Sequence, residues 1–219
     1  MKRLAFVAMV LLVASTVAFA DTTFYNQPWD GGNTYKCDAN TPTCLSQAPL
    51  NEGWTAYDNF AIPTAITKIT DFTYVSLISS GSWADYTGTN WTLFGPNPSD
   101  PFGTAAYSGT AVGTLTDLGN GNMMVSVTGL SIPVAAGQSW IFGFSNDMSN
   151  PGDVTYCATA GAGDGIYWQQ DNAKNYQYTV PGNTAFSVSG TSTPEPSTLI
   201  MVGTGLLGSV GVLRRKTNR

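Results

Sequence analysis

Ile66-Thr-Lys-Ile-Thr-Asp-Phe-Thr-Tyr-Val-Ser-Leu77 is the stretch on which the fold is decided. Apolar and polar residues alternate along it, the period of a strand with one buried face. The apolar phase drifts between Ile69 and Phe72, so a bulge or bend is expected there. Working outward, further strands are expected over 55–60, 91–94, 123–130, 139–144, 177–180 and 185–188, with the quoted one running over 66–78. Met123, Val125 and Val127 fall on one face, whereas Ile141 and Phe142 are consecutive, as in a strand covered on both sides. Gly, Pro and Asn turn signals recur roughly every 8 to 15 residues. No stretch gives an amphipathic helix of three turns. The sequence therefore predicts an all-β, two-sheet β-sandwich of jelly-roll or immunoglobulin-like kind.

The distribution of charge sets the sandwich apart from the two ends of the chain. Of nine Lys and Arg in 219 residues, six lie at Lys2, Arg3, Arg214, Arg215, Lys216 and Arg219. Between Asp21 and Thr193 only Lys36, Lys68 and Lys174 face thirteen acidic groups, a formal charge of −10. Such a body repels phosphate backbones, which excludes a nucleic-acid partner. Histidine is absent, and with it the commonest general base and zinc ligand. The body is dense in Trp, Tyr, Phe, Thr, Ser and Asn, enough apolar and β-branched surface to offset the entropy of ordering.

At the start, Lys2 and Arg3 precede an uncharged, mainly apolar run from Leu4 to Val17. Ala18-Phe19-Ala20 then offers small residues at the two positions a signal peptidase reads. Residues 1–20 are expected to be a secretory signal peptide, handled by the Sec machinery and signal peptidase and cut before Asp21. Domain 21–190 is then the exported sandwich.

At the far end, 191–198 forms a polar stem containing Pro194-Glu195-Pro196, 199–213 is a glycine-rich apolar run, and 214–219 is a basic tail. The seventeen uncharged residues from Ser197 to Leu213 would span roughly 25 Å as a helix, slightly short of the ~30 Å hydrocarbon layer. A transmembrane helix over 199–213 is expected, with Arg214, Arg215 and Lys216 as the cytoplasmic stop. Gly203, Gly205, Gly208 and Gly211 would weaken a helix in water but permit close helix contact in lipid.

The tripeptide, the single apolar span and the basic end together resemble the PEP-CTERM sorting signal of Gram-negative bacteria, here over 194–219. That resemblance implies an exosortase as processing partner, a membrane-embedded cysteine protease or transpeptidase. It further implies an inner-membrane anchored precursor that later reaches the cell surface or extracellular matrix. Tyr57-Asp58-Asn59-Phe60 and Ala135 to Phe144 are also similar to the β domain frequent among such proteins.

Three cysteines lie in the exported part. Cys37 and Cys44 are expected to bridge, closing a short loop for about 2–3 kcal/mol. Cys157 is then either a buried thiol or the partner of one of them. Without histidine a Ser/His/Asp or Cys/His nucleophile system is excluded, and no catalytic residue is assigned. Most aspartates sit beside Gly, Asn or Pro, where the side chain closes a turn. Asp147 and Asp153 are the candidates for structural calcium; no other cofactor is expected. Six tryptophans and ten tyrosines raise a second use, contact with an extracellular polysaccharide. Tyr167 and Trp168 form the best such cluster and Trp83 with Tyr86 the second, while Trp91 and Trp140 read as core. The expected function is that of a non-enzymatic surface or matrix protein. A carbohydrate-binding or adhesive module is the alternative, and a glycoside hydrolase a more distant one.

Overall fold

A computed structural model of the chain describes residues 21–29, 31, 54–99, 103–161, 165–171 and 176–192. The chain divides into two units, Asp21–Thr191 and a second that joins Met1–Ala20 with Ser192–Arg219. The described fold is that of the first. The expected signal peptide, the Cys37–Cys44 bridge, the Pro194-Glu195-Pro196 stem, the 199–213 span and its basic stop lie outside the described residues.

Fifteen strands occur among the described residues: β1 (Thr22–Gln27), β2 (Trp54–Ala61), β3 (Ile66–Ser80), β4 (Tyr86–Phe94), β5 (Tyr107–Ala111), β6 (Thr114–Gly119), β7 (Asn122–Val127) and β8 (Ile132–Pro133). They continue with β9 (Ser139–Met148), β10 (Val154–Cys157), β11 (Thr159–Ala160), β12 (Ile166–Asp171), β13 (Tyr176–Pro181), β14 (Asn183–Thr184) and β15 (Phe186–Ser192). One large sheet runs β1-β15-β3-β7-β6, with β8 and β10 also on β3, the other runs β13-β12-β2-β9-β4-β5, and β11 and β14 form a small two-stranded sheet of their own. The fold is thus the expected all-β sandwich of two antiparallel sheets. Its helical content among the described residues is a single 3-10 turn, Trp83–Asp85. The chain passes between the two large sheets from β1 to β2, β2 to β3, β3 to β4, β5 to β6, β8 to β9 and β9 to β10, so most pairing joins residues distant in sequence.

The expected strands are present, several of them longer. β3 runs on to Ser80, β4 starts five residues before Trp91, and β9 continues to Met148. β7 is shorter than expected and stops at Val127. β15 starts at Phe186, one residue late, and continues to Ser192, into the segment expected as stem.

The phase drift in β3 has a visible cause. Lys68 and Ile69 pair with β8, whereas Phe72 to Leu77 pair with β7. The loop between those two partners is fastened at the changeover, Leu130 N–H donating to Thr70 O (2.8 Å) and Gly129 N–H to Asp71 Oδ1 (3.1 Å). Ile66 and Ile69 before the changeover, and Phe72 and Tyr74 after it, all enter the same core.

That core is aromatic and joins the sheets by ring pairs. Phe72 meets Phe142 at 4.5 Å between centroids, Tyr74 stacks on Phe144 at 4.2 Å, and Phe60 meets Phe186 edge-on at 6.2 Å. Each pair has one ring from either sheet and contributes about 0.5–1.5 kcal/mol beyond its buried area. Trp91 and Trp140 are buried, as their apolar surroundings in sequence require.

Two polar braces cross the same interior. Tyr74 donates to Asn146 Oδ1 (2.5 Å), so its oxygen accepts from Thr89 (2.6 Å). Thr89 in turn accepts from Tyr86 (2.7 Å), whose oxygen receives Gly113 N–H (3.1 Å). At the other end Asn146 donates to Ser76 (2.9 Å) and Thr155 (3.0 Å), and Ser76 donates to Tyr156 O (2.7 Å). Burial raises the Tyr74 pKa well above its ordinary value, so the hydroxyl keeps its proton and the donor order stays fixed. The second brace centres on Asp58, which is fully buried. Its Oδ2 accepts from Thr184 N–H (2.7 Å) and Oγ1 (3.1 Å), and its Oδ1 from Asn59 N–H (2.8 Å). With its NH2 turned toward them, the Gln27 amide reaches Asp58 Oδ2 (3.1 Å) and Thr184 O (2.7 Å).

Satisfied groups of this kind cost little, but truncating one strands the others. Asn146→Ala is expected to lower stability by about 3 kcal/mol and Tyr74→Phe by about 1–2 kcal/mol, measured by urea unfolding. A loss below about 0.5 kcal/mol in Asn146→Ala would contradict the brace.

Candidate functional site

Strand alternation decides which of the candidate ligand residues can meet a ligand. In β12 the inward positions are Tyr167 and Gln169 and the outward ones Trp168 and Gln170. Tyr167 is only 1 % exposed and belongs to the core, which corrects the expectation that it contacts a ligand. Trp83 and Tyr86, the second cluster, are half-buried. Both pack against the core, Trp83 donates to Gly121 O (2.9 Å), and Tyr86 is a member of the first polar brace. Their rings lie 6.2 Å apart.

Trp168 is different. It lies half-buried on the outer face of the six-stranded sheet, against a cluster of Tyr57, Phe94 and Ile141. Register places Trp168 opposite Tyr57, Tyr57 opposite Gly143, and Gly143 opposite Thr92, one row across four strands. Gly143 is required in that row. A Cβ there would lie 2.3 Å from two atoms of the Tyr57 ring and 2.5 Å from Thr92 Oγ1. The missing side chain lets Tyr57 lie flat on the sheet, where its hydroxyl donates to Gln170 Oε1 (3.2 Å). Burial raises the Tyr57 pKa, which keeps that donor in place.

Beside this row a cleft of about 500 Å³ opens, lined among others by Asn59, Pro98, Ser99, Ser139, Ile141 and Trp168. The wall carrying Pro98 and Ser99 is held by its neighbour Asn97, which has a left-handed backbone (φ 52°). Asn97 N–H donates to Ser139 O (2.7 Å) and Asn97 Oδ1 accepts Ser139 N–H (3.0 Å), while its amide NH2 bonds Gln138 Oε1. This reciprocal pair folds the segment after β4 back onto the start of β9. A smaller hollow of about 230 Å³ on the other sheet is lined by Trp29, Val75, Leu118 and Met124, among others.

The two carboxylates read as calcium ligands are engaged separately. Asp147 Oδ1 accepts from Asn90 (2.7 Å), and Asp153 Oδ1 accepts from Asn150 (3.1 Å) in the turn before β10. Asn146, which immediately precedes Asp147, is buried and points into the core. Among the described residues no three of His, Cys, Asp or Glu gather to hold a metal ion. Turn closure accounts for other aspartates, such as Asp117, whose Oδ1 accepts Gly119 N–H (2.8 Å).

Cys157 is a free thiol, 2 % exposed, with Gln169 Nε2 3.9 Å from its sulfur. Burial pushes its pKa up to about 12. The thiol is therefore neutral and shielded, and unreactive while the domain is folded. At pH 8 an alkylating reagent is expected to leave the Cys157 peptide unmodified in native protein and to modify it after unfolding in urea, read by peptide mass. Labelling in native protein as fast as after unfolding would contradict the buried position.

No curated protein and no solved structure matches the chain. Residues 192–216 match the family model of the PEP-CTERM protein-sorting motif. The match covers the tripeptide, the apolar run and the first three basic residues behind it, the features whose combination carried the resemblance. Among the described residues no helix is long and apolar enough to cross a membrane, and the apolar run lies outside them. Following a two-sheet β-sandwich, this chain carries the PEP-CTERM protein-sorting motif, the signal that marks an exosortase substrate.

Proposed function

We propose that the chain is an exported, non-enzymatic surface or matrix protein whose β-sandwich is the displayed part and whose C-terminal segment is the address. The sorting motif over 192–216 is the observation that carries this reading. The Sec machinery takes the chain across the inner membrane and signal peptidase cuts after Ala20. The apolar run 199–213 then holds the precursor in lipid, and Arg214, Arg215 and Lys216 stop it from crossing, until an exosortase acts at the Pro194-Glu195-Pro196 stem.

Two features of the fold support the reading. β1 begins at Thr22, so a cut before Asp21 removes the leader without removing a strand residue. Its partner β15 ends at Ser192, two residues before Pro194, which has no N–H to extend a ladder. The charge of the body favours this too, since an acidic domain with three lysines has little affinity for anionic lipid and remains off the bilayer surface.

Replacing Pro194, Glu195 and Pro196 together with alanine is expected to leave a membrane-retained form one tail heavier than wild type. The readout is a gel shift with fractionation in a host that makes an exosortase. Normal maturation of that variant would overturn the sorting assignment.

A further inference from the structure

We infer that the cleft beside Trp168 is a binding site for neutral pyranose units of an extracellular polysaccharide. A pyranose ring presents an apolar C–H face and a rim of hydroxyls, so its site needs an aromatic surface next to neutral hydrogen-bonding groups. Both are present. Trp168 is half-buried and packs against the cluster of Tyr57, Phe94 and Ile141. Asn59, Ser99 and Ser139 line the same cleft, and no Asp, Glu, Lys or Arg is among its described lining residues.

Size and shape agree with this ligand class. About 500 Å³ falls within the range of ~300–1,000 Å³ usual for small-molecule sites, and the cleft opens at the surface, so a longer chain can run out of it. The walls are set before any ligand arrives. Trp168, Tyr57 and Gly143 are held by strand register, and the Pro98–Ser99 wall by the reciprocal Asn97–Ser139 bonds. Preorganisation of this kind lowers the entropic cost of binding. Charge selects among polysaccharides: a domain at −10 repels uronate and sulfate polymers and leaves neutral ones.

The test uses the full chain, purified in mild detergent, in affinity gel electrophoresis through a neutral β-glucan, a neutral galactomannan and polygalacturonate. Wild type is expected to be retarded by at least one neutral polymer and not by polygalacturonate. Trp168→Ala is expected to weaken that retardation at least tenfold and Trp168→Phe to restore part of it. Ser99→Trp, which fills the cleft from its exposed rim without touching the core, is expected to abolish it and decides the matter if Trp168→Ala does not fold. The site is refuted if neither neutral polymer retards wild type, if Ser99→Trp runs like wild type, or if polygalacturonate retards it most. Because the chain is tested unprocessed, such a failure is separate from a failure of the sorting assignment.

Discussion

The register of β3 is the constraint on which the sandwich depends. Of its 15 residues, Lys68 and Ile69 pair with β8 and Phe72 to Leu77 with β7 along one edge. Residues 76–80 pair with β10, and β15 also adjoins the strand in the sheet. Sliding β3 by one residue would turn Phe72 and Tyr74 out of the core and break their contacts with Phe142 and Phe144. It would also pull the Tyr74 hydroxyl away from Asn146, the point where the first polar brace crosses from one sheet to the other. Aromatic burial supplies most of the stabilising energy, and the braces select the register, because a slipped strand strands buried donors.

This arrangement bears on how the chain can be exported. β15, the last of the described strands, lies between β1, the first of them, and β3. The sheet is complete only when residues from both ends of the domain are on the same side of the membrane. Pairing between such distant segments is slow compared with local structure. On the proposed reading, a tail that keeps the precursor in the bilayer would give that pairing time near the processing enzyme. The two parts of the chain thus differ in solvent. The body is stabilised by removing rings from water into its own interior; on the proposed reading the tail is stabilised by moving its apolar run into lipid.

Much of this was legible in residue order. The alternation in 66–77 gives β3, and the drift in its phase marks the place where its partner changes. The sorting motif is equally direct, since charge, apolar length and the Pro-Glu-Pro spacing act locally and need no tertiary context. What escaped was structure set by distant partners. β1 and β12 are short and acquire their identity from β15 and β2. β6 is announced by Asn120-Gly121, whose positive φ values of 54° and 80° build the tight turn into β7; that dipeptide is a stronger strand signal than the composition around it. The aromatic cluster 167–168 shows the limit most clearly. Composition gives two neighbouring rings, but only the inward or outward parity of β12 separates the core tyrosine from the surface tryptophan. Asp147 and Asp153 illustrate the same point, because sequence proximity suggested a shared ion and the fold gave each its own amide partner.

The central claim is that a folded acidic sandwich is delivered by a lipid-seeking tail that is later removed. Intact-mass analysis of the natural product, combined with its cell fraction, tests it most directly. The account predicts a surface or extracellular species that begins at Asp21 and lacks the apolar run 199–213. A 219-residue species, soluble and still carrying both ends, would contradict it.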